Sequence, residues 1–194
     1  MEKLEYSKVI QQLSEYAVSS LGQQKVKGIK PQTAHEQVIQ LLEETDDAVK
    51  ILRLKGGIPL ASFHDVRPYV KRMEIGAVLS GQEFVEIGLL IKGVQEVIHF
   101  FDDLQKESIE LLHLYELVNQ FIPLPQLRNR IFETLSEGGF VLDDASPELK
   151  SIRNSIRQTE SNAREKLNNI VRGSQSKHLT DSIITMRNDR FVIP

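Results

Sequence analysis

The sequence predicts an all-α protein: a helical bundle with one long projecting helix and the start of a β-hairpin at its carboxyl end. Three observations carry this. Apolar residues recur at steps of three and four along most of the chain, the periodicity of helix faces that pack on one another. Ser or Thr stands three residues ahead of Gln or Glu where several of these runs begin, the signature of a capped helix start. Only the closing stretch, "IITMRNDRFVIP", departs from the pattern, with Ile183, Ile184 and Met186 on one side of Asn188-Asp189 and Phe191, Val192 and Ile193 on the other.

Taken in order, Ser7 is expected to cap a first helix with Val9, Ile10, Leu13 and Ala17 on one face. Ser20 with Gln23 reads as a capping box for a short helix, which must stop before Pro31 because the residue ahead of proline is driven out of helical backbone. Thr33 with Glu36 opens a third, carrying Val38, Leu41, Leu42, Ala48, Val49 and Leu52, and Gly56-Gly57 ends it. The stretch "IPLASFHDVRPYVKRMEIGAVL" connects, with one short helix around Phe63, Val66 and Val70. Ser80 with Glu83 caps a helix striped by Phe84, Ile87, Ile91, Val94, Ile98 and Phe101. "SIELLHLYELVNQF" predicts another, stopped by Pro123 and Pro125, and "PQLRNRIFETL" one more. Gly138 to Leu142 reads as a turn with a short extended piece.

The last helix is the longest. Ser146 suits the N-cap, Pro147 the first helical position and Glu148 the positive end of the helix dipole. Leu149, Ile152, Ile156, Ala163, Leu167 and Ile170 form a narrow near-heptad stripe up to Gly173. About 26 residues at 1.5 Å each make a rod of roughly 39 Å, long for a globular helix. The expected organisation is a bundle over residues 1–145, the long helix over 146–173, and a polar hinge (Ser174, Gln175, Ser176) with the hairpin over 174–194. A two-stranded hairpin is marginal in water, so this one is expected to lean on other structure and to open a region that continues beyond it.

Composition narrows the function. There is no cysteine, hence no disulfide framework, thiol nucleophile or thiolate metal site, and a reducing cytoplasm fits. The charged start "MEKLEYSKVIQQLSEY" lacks the apolar core of a signal peptide, and no apolar run approaches a membrane span, so a cytoplasmic protein with no membrane partner is expected. Charge is uneven. Residues 1–146 carry 15 Lys and Arg against 22 Asp and Glu, whereas residues 147–194 carry 9 against 5.

Catalytic patterns are sparse, and no catalytic, cofactor or metal site is expected within these residues. His35, His64, His99, His113 and His178 are scattered, with no pair at ligand spacing on one helix face. Asp46-Asp47, Asp102-Asp103 and Asp143-Asp144 are adjacent pairs whose side chains diverge on a helix, and solvated faces or helix starts account for them. "GLLIKG" at 88–93 imitates the start of a phosphate loop, but Val94 stands where lysine is required and the run lies inside a helical stripe. The long helix carries the one functional surface with a geometric argument. At about 100° per residue, Lys150, Arg153, Arg157, Arg164 and Arg172 share one face, roughly 120° from the apolar stripe. Arginine's planar fork suits phosphate, so these residues, with Arg187 and Arg190 of the hairpin, are the candidate nucleic-acid contacts. Ordinary ion pairs to Glu160 and Glu165 on a solvated face are the competing account.

Three stretches, "LEETDDAVKILRLKGGIPL", "LDDASPELKSIRNSIRQTESNAREKL" and "RNDRFVIP", resemble the amino-terminal region of the bacterial MutS-two proteins, paralogues of the mismatch-repair ATPase MutS, in collinear order from about Leu4 to Pro194. The resemblance implies a core and lever without a mismatch-recognition domain, followed by a clamp, an ABC-type ATPase using ATP and magnesium, and a carboxyl-terminal Smr endonuclease domain. It also implies a homodimer that binds branched DNA, suppresses homologous recombination, or binds ribosomal RNA to split collided ribosomes. The Phe84-Val85-Glu86 run imitates the mismatch wedge of the related repair proteins, yet Phe84 belongs to the helical stripe and core packing is expected. The alternative to nucleic-acid contact is a scaffold whose long-helix seam binds a second copy.

Overall fold

The computed structural model describes residues 5–60, 63–173, 183–187 and 190–192. The expected hinge at 174–176, His178, the Asn188-Asp189 turn and Ile193 with Pro194 lie outside the described residues. Those described are helical almost throughout, with one antiparallel hairpin, and they divide into two units, Met1–Val141 and Leu142–Pro194.

The first unit holds α1 (Tyr6–Glu15), α2 (Ser20–Lys27), α3 (His35–Lys55), α4 (Arg67–Glu74), α5 (Gly81–Lys106), α6 (Leu114–Asn119) and α7 (Pro125–Thr134). The Ser80–Glu83 capping box forms in both directions, and Arg72 grips the same carboxylate at 2.5 Å. Together these partners hold Glu83 down at about 2. Three caps differ from expectation. Glu5, at φ 49°, precedes α1 and leaves Ser7 inside the first turn. Ser19, extended at φ −118° and ψ 154°, accepts the Gly22 N–H at 3.1 Å and so caps α2 in place of Ser20. Ala34 precedes α3, whose start no side chain caps, although Gly56 at φ 79° ends it as expected.

Two apolar clusters organise the unit around α5. Ile51 of α3, Val97, Phe101 and Leu104 of α5, and Val118 of α6 form one, with Phe101 set edge-on to Tyr115 at 5.9 Å. Val85 of α5, Ile131 of α7 and Leu135 form the other, flanked by Phe84, Ile87 and Phe132. Each fully buried Ile or Leu contributes roughly 1.5–3 kcal/mol. Phe84 is therefore a packing residue. The "GLLIKG" glycines are explained as well: a Cβ on Gly88 would lie 3.1 Å from Ile131 and Phe132, and one on Gly93 would meet the Phe63 ring at 2.2 Å. They let neighbours approach the middle of α5 closely.

The predicted helix over 108–121 shrinks to six residues. Ser108 sits at φ 59°, which breaks helical backbone, and the chain then runs across α3. There Asp47, 1% exposed, accepts the N–H groups of Leu112, His113 and Leu114 at 3.0, 2.8 and 3.2 Å. A carboxylate 65 or more residues away caps α6 in place of a local residue. Glu43, one turn earlier on α3, reaches His113 at 2.7 Å, and Lys50 donates to the Glu110 carbonyl at 2.9 Å.

The second unit holds a three-residue 3-10 turn (Asp143–Ala145), α8 (Pro147–Arg172) and the hairpin of β1 (Thr185–Arg187) and β2 (Arg190–Val192). Ser146 accepts the Leu149 N–H at 3.1 Å, the expected cap, and α8 runs the expected 26 residues. The strands pair Thr185 with Val192, Met186 with Phe191 and Arg187 with Arg190.

Candidate nucleic-acid interface

Side chains alternate across a strand, so Phe191 and Met186 share one hairpin face while Arg187 and Arg190 share the other. The Phe191 ring faces α8, and the Arg164 guanidinium lies over it, 5.8 Å from the centroid. A guanidinium stacked on a ring keeps its N–H edge free to donate in its own plane, so the contact orients Arg164 without using up its hydrogen bonds. The opposite face sets Arg187 and Arg190 directly across from each other. Like charges in cross-strand register destabilise a hairpin unless an anion lies between or beside them.

The face of α8 is divided. Near its start, Lys150 pairs with Asp144 at 2.9 Å, Arg153 with Asp143 Oδ1 at 2.5 Å, and Arg157 with Asp143 Oδ2. Arg153 and Arg157 together hold the Asp143 carboxyl below the usual carboxylate range. Farther on, Arg164 and Arg172 are exposed and have no carboxylate partner among the described residues, and the same holds for Arg187 and Arg190. The structure thus brings Lys150, Arg153 and Arg157 together around the acidic turn, and Arg164 onto the hairpin. Arg172 stands at the end of α8, within one turn of the buried Val171. Among the described residues, the carboxylates that pair with these cations are Asp143 and Asp144 rather than the Glu160 and Glu165 of the competing account. The signal was the acidic dipeptide itself, immediately ahead of a Ser-Pro helix start.

Among the described residues, no three His, Asp or Glu side chains are placed to hold a metal, and no helix is long and apolar enough to cross a membrane. His99 Nε2 lies 3.7 Å from Asp103 and His113 Nε2 lies 2.7 Å from Glu43, so each imidazole faces a carboxylate.

No family model matches the chain. Curated relatives do. It is 42% identical over its whole length to a protein named Endonuclease MutS2 from Latilactobacillus sakei, of which it covers 25%. It is 44% identical over 98% of its length to an Endonuclease MutS2 from Bacillus mycoides, covering 24% of that protein. It is 37% identical over its whole length to one from Enterococcus faecalis, covering 25%. The chain spans about a quarter of the length of the curated relatives it matches.

Proposed function

Because the chain belongs to the MutS2 family, the MutS-two proteins of the sequence resemblance, we propose that it supplies the core and lever of a longer protein and contributes a cationic face that holds nucleic-acid backbone. The observation that carries this is the exposed arginine group: Arg164 over Phe191, with Arg172, Arg187 and Arg190, none of which pairs with a carboxylate among the described residues. Backbone contacts of this kind bind phosphate without reading sequence, so branched DNA and ribosomal RNA present the same chemistry. In the longer protein this chain would couple an ATPase using ATP and magnesium, and an Smr endonuclease domain, to the nucleic acid. Suppression of recombination and splitting of collided ribosomes are the biological outcomes proposed for it. The chain itself is proposed to be non-catalytic.

The test is a salt titration of binding to a four-way DNA junction and to an RNA stem-loop, comparing wild type with Arg164→Glu/Arg190→Glu. Each phosphate contact adds about −0.9 to the log–log salt slope on duplex DNA, so the variant should flatten it by about two units and weaken both ligands. An unchanged slope and affinity would refute the reading. Preference for one ligand at matched salt would separate DNA from RNA as the partner.

One observation favours a second reading. Ile152 and Ile156 of the α8 stripe remain 50% and 51% exposed, an apolar seam suited to a second copy of this chain. In that case the chain is a homodimerisation scaffold. Sedimentation equilibrium of wild type against Ile152→Asp/Ile156→Asp decides it: a dimer lost in the variant supports the scaffold, and a monomer at all concentrations removes it.

A further inference from the structure

The acidic turn at the start of the second unit uses the cations that nucleic acid would use. We propose that Asp143 and Asp144 form a built-in competitor for phosphate, which keeps Lys150, Arg153 and Arg157 closed until a backbone displaces it. The proposal rests on the nucleic-acid reading above and adds regulation to the same face.

Three features support it. The first is mimicry. Arg153 takes Oδ1 of Asp143 and Arg157 takes Oδ2, so one carboxylate divides its oxygens between two guanidiniums on successive helical turns. A phosphodiester presents the same pair of unesterified oxygens, and Arg binds either group with its planar fork. The second is accessibility. Asp143 is 47% exposed and Asp144 is 72% exposed, so an incoming anion can reach the cations and the released carboxylates can pass into water. Exposed pairs are weak and screened, which makes them exchangeable. The third is mechanical independence. The turn is three residues long, and α8 is capped by Ser146 through its own bond to the Leu149 N–H. The carboxylates can therefore move off without unwinding the helix that presents the cations.

The consequence is a face with two thresholds. Arg164, Arg172, Arg187 and Arg190 make first contact, whereas Lys150, Arg153 and Arg157 engage only a backbone that follows α8 to its start. A ligand too short to extend along α8 leaves the turn in place. A junction or a long stem displaces it.

The test uses the 194-residue chain and a fluorescent four-way DNA junction. Asp143→Asn/Asp144→Asn should tighten binding several-fold at low salt, since the junction no longer has to displace two carboxylates from the same cations. If the variant is unchanged while Arg164→Glu/Arg190→Glu weakens binding, the competitor is refuted and the nucleic-acid reading stands. If neither variant changes binding, the reading itself falls, and the competitor with it. A second measurement is independent of any variant. In wild-type protein at neutral pH, the carboxyl-carbon resonance of Asp143 and the guanidinium resonances of Arg153 and Arg157 should shift together when the junction saturates. Saturation by the junction with all three unmoved overturns the proposal.

Discussion

Replacing Asp47 by Ala should loosen the first unit more than any other single change on its surface-facing helices. The side chain is 1% exposed and accepts three backbone N–H groups at the start of α6. Hydrogen bonds to a charged acceptor contribute about 1.5–3 kcal/mol each, but they are not additive, and Leu112 is exposed enough for water to replace part of the loss. The expected cost is therefore about 3–4 kcal/mol, in the range of losing a buried charged network. Asp47→Asn is the informative partner. Its oxygen can still accept, while its amide nitrogen would turn N–H toward N–H, so it should lose roughly half as much. The pH response has a definite sign. Burial pushes the Asp47 carboxyl up, but the N–H groups of His113, Leu112 and Leu114, helped by Lys50, outweigh it and hold it below its ordinary value. The stabilisation is thus complete above the unfolded carboxylate range and disappears as the pH falls through the lowered value. Amide hydrogen exchange at residues 112–114, read with urea unfolding of each variant, provides the assay. Protection at those amides unchanged in Asp47→Ala, or a loss under about 1 kcal/mol, would show that apolar packing rather than the carboxylate holds the loop.

The remaining predictions concern the same unit. Gly81→Ala would place a Cβ 2.0 Å from the Gly139 carbonyl oxygen, a backbone atom that cannot swing aside, so the 136–140 loop must lift and carry the Leu135–Val141 bridge with it. Thermal melts should show a loss of about 2–3 kcal/mol, against under about 0.5 kcal/mol for Gly28→Ala, where the nearest atom is at 3.4 Å. The Glu43 hydrogen bond raises His113 above its ordinary value, so this pair stabilises fully below the unfolded histidine range and weakens as the pH rises through the raised one. Melting temperature should therefore decline between mildly acidic and mildly alkaline buffer, and Glu43→Gln should flatten that decline.

Local signals were legible at the starts of α5 and α8, though not at those of α1, α2 and α3. Ser80 and Glu83 satisfy each other within one turn, and Ser146-Pro147 starts α8 with no outside help, so both ends were visible in the residues. Helix α6 was overestimated because its boundary is set by Asp47, which lies on α3 and leaves no trace in the spacing of residues 108–121. Apolar periodicity placed the stripe of α5 only to within one residue. Ile91 and Phe101 are buried as expected, but Val85, Gly88, Gly93 and Val97 are buried where Phe84, Ile87, Val94 and Ile98 were expected, because two glycines admit α7 and Phe63 closely on that side. At the candidate interface, helical spacing put the arginines on one face. What it could not supply was the path of the chain just before Ser146, and that path brings Asp143 back over Arg153 and Arg157.

Two of the adjacent acidic pairs end in opposite circumstances, and burial is what separates them. Asp47 is buried and its partners are backbone N–H groups, which are fixed in place by the chain. Removing it leaves donors that only water can satisfy, so its role is to hold α6 on α3. Asp143 has stronger partners by charge, yet both arginines stand at the surface, where salt screens them and phosphate offers the same two oxygens. A buried carboxylate bound to backbone is a fastening, whereas an exposed carboxylate bound to arginine is an occupant that another anion can replace. The acidic residue whose loss costs the fold most is therefore expected to leave nucleic-acid binding unchanged in protein that remains folded. The residue whose loss costs the fold little is expected to change binding most, and measuring both properties on Asp47→Asn and Asp143→Asn tests that inversion directly.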